Sequence, residues 1–185
     1  MHARVFTLTT IVALLFGAAG CEDNNGAELN ARLVGPSPFQ SRLVSVEPAT
    51  VRPEFLSSPA CRGFRPFRTR FNLFVHADRD LFLRGIRFQF DDRSGGRAHP
   101  LPIPTAVTGP TIPNSVPLAL PSSAPIPIPG TLQFHGVTVS SGINRVGIVL
   151  NFDCGVAPEG ILSISIETAG RDGTPDVAHV SVPVG

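Results

Sequence analysis

From residue 42 onward, apolar side chains recur at every second position in short runs separated by Gly, Pro and Asp. Leu43-Val44-Ser45-Val46 is a brief β-branched run that Pro48 ends, since proline has no N–H to give to a ladder. Phe71, Leu73 and Val75 alternate with Asn72, Phe74 and His76, which turns one face of a strand inward and the other outward. Leu81 and Leu83 give way to Ile86, Phe88 and Phe90, so the phase slips at Gly85 and predicts a bulge. A second slip, across His135-Gly136, separates Leu132 and Phe134 from Val137 and Val139. Val146, Ile148, Leu150 and Phe152 keep the two-residue period, as do Leu162, Ile164 and Ile166, and then Ala178, Val180, Val182 and Val184. These runs predict seven strands, over 42–47, 70–77, 81–91, 131–140, 144–152, 161–168 and 176–184. No stretch past residue 42 has a helical period, so the class is all-β. One antiparallel β-sandwich over 42–185 is expected.

An insertion at 91–130 separates the third strand from the fourth. From Ala98 to Gly130 it contains ten prolines and no Asp, Glu, Lys or Arg. Pro-Leu-Pro-Ile-Pro and Pro-Ile-Pro-Ile-Pro favour polyproline-II or edge-like backbone, because proline fixes φ and removes a donor. An uncharged segment dotted with Ile, Val and Leu is expected to pack along the sandwich, with Val116-Pro117-Leu118-Ala119-Leu120 as an irregular edge strand. The functional alternative is a ligand or partner surface, since long ordered loops often carry function.

Ahead of the strands, Met1 to Arg4 is a short basic start and Val5 to Phe16 an apolar stretch; Gly17-Ala18-Ala19-Gly20-Cys21 follows. Those are the parts of a secretory signal, and the apolar stretch is shorter than the ~20 residues a spanning helix needs. Residues 22–40 are polar, with Gly26, Gly35, Pro36 and Pro38 and no period, and read with Cys21 and Ser41 as a flexible tether over 21–41. Ala18-Ala19-Gly20-Cys21 resembles the lipobox of bacterial lipoproteins, departing from it at Ala18, where leucine is commoner. The resemblance implies a signal peptide at 1–20 that is removed, and a diacylglyceryl thioether on Cys21. It also implies an exported protein anchored to a bacterial cell membrane by its N-terminal acyl chains, each buried CH₂ contributing ~0.8 kcal/mol. Glu22 stands where an aspartate would signal inner-membrane retention, so the inner and outer membranes both stay open.

With Cys21 lipidated, Cys61 and Cys154 are an even pair in an oxidising compartment. Consecutive strands of a sandwich run up and down. The connections after the first, third and fifth strands therefore meet at one pole, and Cys61 and Cys154 fall in the first and last of these. A disulfide between them is expected, closing a loop of about 94 residues. The run Gly160 to Thr168, a Gly/Asp-rich turn and Val177 to Val184 resemble the final hairpin of bacterial immunoglobulin-like domains. That resemblance implies an immunoglobulin-like sandwich without the Cys…Trp…Cys core of antibodies.

Composition narrows the function further. In 185 residues the net charge is +1, too balanced for a nucleic-acid binder; charged residues are 16% and hydrophobic ones 42%, which excludes disorder. Every basic residue is Arg, and Trp and Tyr are absent, which removes the flat amphipathic rings on which sugar platforms and interface hot spots usually rely.

Candidate chemistry is sparse. His76, His99, His135 and His179 form no H-x-H or H-E-x-x-H, and no metal is assigned to them. Asp78 and Asp80, with Asp172 and Asp176, fall in turns at the pole opposite the cysteines, where they are either ordinary turn residues or part of a Ca²⁺ cage. Asp91-Asp92 ahead of Arg93-Ser94-Gly95-Gly96-Arg97 reads as a solvated turn. In Cys61 to Phe71, Arg62, Arg65, Arg68 and Arg70 interleave with Phe64, Phe67 and Phe71. Phe rings turned to the core with Arg outward is one reading; a site for phosphate, lipid headgroups or an acidic glycan is the other. Gly-rich phosphate loops, G-x-S-x-G and S-x-x-K are absent, so neither a cofactor nor catalysis is expected. The expected function is a non-catalytic, lipid-anchored structural or protein-interaction module of the cell envelope, with a small-ligand or glycan-binding lipoprotein as the alternative.

Overall fold

The computed structural model describes residues 42–57, 61–108, 114–118, 120 and 128–185. Cys21, the signal and the tether lie outside them, as does part of the insertion. Eleven strands occur among the described residues: β1 Arg42–Glu47, β2 Pro53–Phe55, β3 Phe67–Ala77, β4 Leu81–Asp92, β5 Arg97–Ala98, β6 Leu101–Thr105, β7 Ser115–Pro117, β8 Thr131–Val139, β9 Gly142–Phe152, β10 Gly160–Ala169 and β11 Pro175–Val184. Seven of them are the strands expected from alternation. The additions, β2, β5, β6 and β7, are short and mostly proline-containing, with too few residues for a period to show.

Two sheets face each other. The first runs β1-β3-β9-β6, with β2 beside β3 and β7 beside β9; the second runs β11-β10-β4, with β8 and β5 sharing the far edge of β4. This is the strand order of an immunoglobulin-like sandwich, with the insertion extending the first sheet beyond β9. Past β1 the chain crosses to the second sheet, where Val51 N–H donates to Pro183 O at 2.9 Å and Val51 O accepts from Gly185 N–H at 3.1 Å. Both expected bulges are present: the β4–β8 register shifts between Leu83 and Gly85, where Val137 and Gln133 are the partners and Gly136 has φ 72°.

The core lies between the sheets, and its side chains are those of the inward phase: Phe71, Leu73 and Val75, Ile86, Phe88 and Phe90, Ile148, Leu150 and Phe152, and Leu162, Ile164 and Ile166. Phe67 stacks on Phe152 with ring centroids 4.3 Å apart, and Phe90 meets Phe152 edge-on at 5.0 Å. Such ring pairs add about 0.5–1.5 kcal/mol beyond the area they bury.

The insertion packs as expected and alters one face. β6 runs antiparallel to β9 as far as Gly147, and β7 runs parallel to β9 at Ile143–Arg145. Beyond β6, residues 106–108 cross the outer face of the first sheet, from over Gly147 of β9 to over Asn72 of β3. Asn72, the cross-strand partner of Gly147, donates through Nδ2 to Thr108 O at 2.7 Å and accepts from Thr108 N–H at 3.3 Å. Gly147 is required there, since a Cβ would stand 2.4 Å from Ala106 O. Asn72, Phe74 and Val149, outward by alternation, are therefore buried. Leu118 enters the core and its N–H donates to Arg145 O at 2.7 Å.

Candidate functional site

At one pole of the sandwich Cys61 and Cys154 form a disulfide, with their Cα atoms 5.5 Å apart. The count of main strands between the two cysteines, on which that expectation rests, agrees with the bridge. Hydrogen bonds bind the same loops together: Gly155 N–H to Phe64 O at 3.0 Å, and Arg93 N–H to Glu159 O at 2.8 Å. The expected solvated turn at Asp91-Asp92 proves to be part of this lashing. One Asp92 carboxylate oxygen accepts from Ser94 N–H, Ser94 Oγ–H and Gly96 N–H, and the other from Ala157 N–H across the gap. These bonds, the Ser94 hydroxyl first, hold the Asp92 carboxyl below the usual carboxylate range.

The four candidate arginines do not converge. Arg62 and Arg65 lie exposed in the disulfide loop, without an ion pair among the described residues. Arg68 pairs with Glu54 at 2.7 Å, its cross-strand partner on β2, and is spent there. Arg70 is exposed on the outer face of β3. Of the three interleaved rings, Phe67 and Phe71 enter the core, whereas Phe64 stays 48% exposed. With Phe55, 57% exposed on β2, this pole has two uncovered rings as well as Arg62 and Arg65.

At the opposite pole the β3–β4, β8–β9 and β10–β11 turns meet as the topology requires. Ser141 N–H donates to Asp80 at 2.9 Å, and Arg171 approaches the same carboxylate at 3.8 Å. Asp172 accepts from Thr174 N–H at 3.0 Å, the bond that most lowers its pKa. Arg79 and Arg171 line the space between Asp80 and Asp172, so guanidinium groups stand where a Ca²⁺ cage would need further oxygens. Among the described residues no three His, Cys, Asp or Glu side chains group to hold a metal.

The outer face of the second sheet bears a constellation that sequence reasoning did not single out. Register aligns Thr131, Arg87, Ser165 and His179 in one row across β8, β4, β10 and β11, and Gln89, Ser163 and Ser181 in the next. On the other side of the first row lie Gln133, Gly85 and Glu167. Short Ser and Thr side chains make a low floor between longer Arg and Gln. Residues 128–130 and His99 raise a rim at its edge. The result is a depression of about 580 Å³ lined by Arg87, Gln89, His99, Thr131, Gln133 and Ser165, among others. A smaller one of about 230 Å³ shares Arg87, Thr131 and Gln133 with it and continues to Arg84, His135 and Glu167. Ser165 Oγ and His179 Nδ1 are 2.7 Å apart, but no carboxylate among the described residues orients the ring, so the pair lacks the third member of a nucleophile–base relay. The outward Arg, Gln and Ser positions were visible in the sequence; their alignment across four strands was not.

No family model and no curated protein matches the chain. Among solved structures it is similar to a Northeast Structural Genomics Consortium target, SoR45, at 11% identity and a TM-score of 0.43, over 80% of this chain and 86% of that one. It is also similar to the putative ApaA protein from Bordetella pertussis, at 12% identity and a TM-score of 0.39, over 78% of this chain and 88% of that one.

Proposed function

We propose that this protein is a non-catalytic module of the bacterial envelope, held to a membrane by acyl chains on Cys21, whose disulfide pole docks an acidic face of an envelope protein. The observation that carries the reading is the direction of β1. Arg42 pairs with Ala77, at the pole opposite the cysteines, so the chain before residue 42 joins the sandwich there. A tether leading to a membrane then points the disulfide pole outward, one strand length away, roughly 35–40 Å at ~3.3 Å per residue. That orientation supports a protein partner over lipid headgroups for Arg62 and Arg65, because it directs them away from the bilayer. Exposed aromatic rings beside unpaired arginines are the composition of an interface core. The disulfide, which persists in oxidising compartments, supports an exported setting.

The test is a photo-crosslinking residue placed at Phe64, or at Ser141 on the opposite pole, in intact envelopes. A discrete adduct is expected from position 64 and none from 141. Combining the crosslinker at 64 with Arg62→Glu and Arg65→Glu should abolish the adduct. Equal adducts from both poles, or none from position 64, would refute the docking reading.

A further inference from the structure

The trough on the second sheet has three properties that a merely solvated strand face does not need together. Its shape comes first: floor residues Thr131, Ser163 and Ser165 are short, and Gly85 contributes no side chain, while Arg87, Gln89 and Gln133 rise beside them. Its rim is fixed by the backbone, with Phe88 N–H donating to Gly130 O and Gly130 N–H to Pro100 O, both at 2.7 Å. Gly130 has φ 71°, and a Cβ there would meet Phe88 O at 2.9 Å and His99 Cβ at 3.1 Å, so glycine is what lets His99 close the rim.

Second is charge. Arg84 and Arg87 make no ion pair among the described residues, whereas Arg68, Arg93, Arg97 and Arg171 on the same molecule do. No carboxylate lines the larger depression, and only Glu167 lines the smaller. Third is hydrogen-bonding capacity, since Gln133 and Thr131 offer an amide and a hydroxyl, and Gln89, Ser163 and Ser165 keep further donor or acceptor positions beyond their bonds to Asp91, Ser181 and His179.

We infer that this trough binds an acidic glycan, with Arg87 as the fork for a carboxylate or sulfate and the Gln, Ser and Thr side chains meeting sugar hydroxyls. Neutral sugars depend mainly on stacking against Trp or Tyr, and this chain has neither. An anionic sugar can instead be held by a guanidinium, whose two parallel N–H donors match an oxyanion. The inference does not depend on the tether or on the disulfide pole.

Titration calorimetry on the purified full chain, in detergent at low salt, tests it with four probes: a galacturonate hexamer, a chondroitin sulfate hexasaccharide, maltohexaose and inorganic sulfate. Saturable binding to at least one acidic oligosaccharide is expected, at least tenfold tighter than to maltohexaose or sulfate and weakening as salt rises. The preferred acidic probe identifies the anionic group. Arg87→Gln should weaken that binding tenfold or more, and Arg87→Lys less. Gln133→Ala should also weaken it, Glu167→Gln should strengthen it by removing a like charge, and Arg171→Gln should match the wild type. Failure of both acidic probes to bind, equal binding of maltohexaose or sulfate, or wild-type affinity in Arg87→Gln would overturn the assignment.

Discussion

Removing the disulfide offers a quantitative test of how the sandwich is held. The bridge joins residues 93 apart in sequence. In the chain-entropy account a loop near that length restricts the unfolded chain by ~4–5 kcal/mol. The folded side should change little when both cysteines become alanine. Cys154 is exposed, so no core cavity forms, and the Gly155–Phe64 and Arg93–Glu159 backbone bonds still join the loops. The loss should therefore fall almost wholly on the unfolded state. Against a domain stability of ~5–15 kcal/mol it leaves a folded but marginal protein, with a melting temperature lower by roughly 8–20 °C at ~2–4 °C per kcal/mol. The informative assay is equilibrium urea unfolding of the oxidised protein, the reduced protein and the double alanine variant. The last two should coincide, and both should show a steeper denaturant dependence, because an uncrosslinked chain exposes more surface. A loss below about 1 kcal/mol with an unchanged slope would show that loop closure is not what the bridge contributes.

Three other outcomes follow from particular contacts. Gly147→Ala forces a Cβ to within 2.4 Å of Ala106 O, so it should lift the insertion, cost about 1–3 kcal/mol and speed amide exchange at residues 101–108; unchanged exchange would contradict the crossing. The Asp92 carboxyl is held below its unfolded value by hydrogen bonds, so its contribution is complete above the unfolded pKa and is lost as pH falls through the lower folded one. Asp92→Asn should lower stability at neutral pH and make the acid limb below the ordinary carboxylate range shallower, though not flat, since Asp91 and Asp172 are held low as well; urea midpoints measured on acidification report it. Cys21→Ser should release the protein from membranes or block its processing, and unchanged membrane fractionation would refute lipidation.

What was legible in the sequence is whatever depends on strand period. Alternation of Val, Ile, Leu and Phe with polar residues reports which face of each long strand meets the core, because successive side chains point to opposite sides. It located the seven main strands and both bulges, and counting them put Cys61 and Cys154 at the same pole before any distance was known. β6 and β7 were legible only as edge-like backbone, since proline lacks the donor that would define a ladder, and β2 and β5 are too short to repeat.

What the tertiary structure alone decided are facts of registration between distant segments. Phe74 looks outward by period, yet it is buried on the face that the insertion crosses. Arg68 looks available, yet β2 sets Glu54 opposite it. Arg87, Ser165 and Thr131 come from three strands and share a row only because β4, β8 and β10 pair in one register. Local pattern determined each strand's inward face; which outward residues stand side by side depends on hydrogen-bonded pairing across long sequence separations, and no period along the chain encodes that.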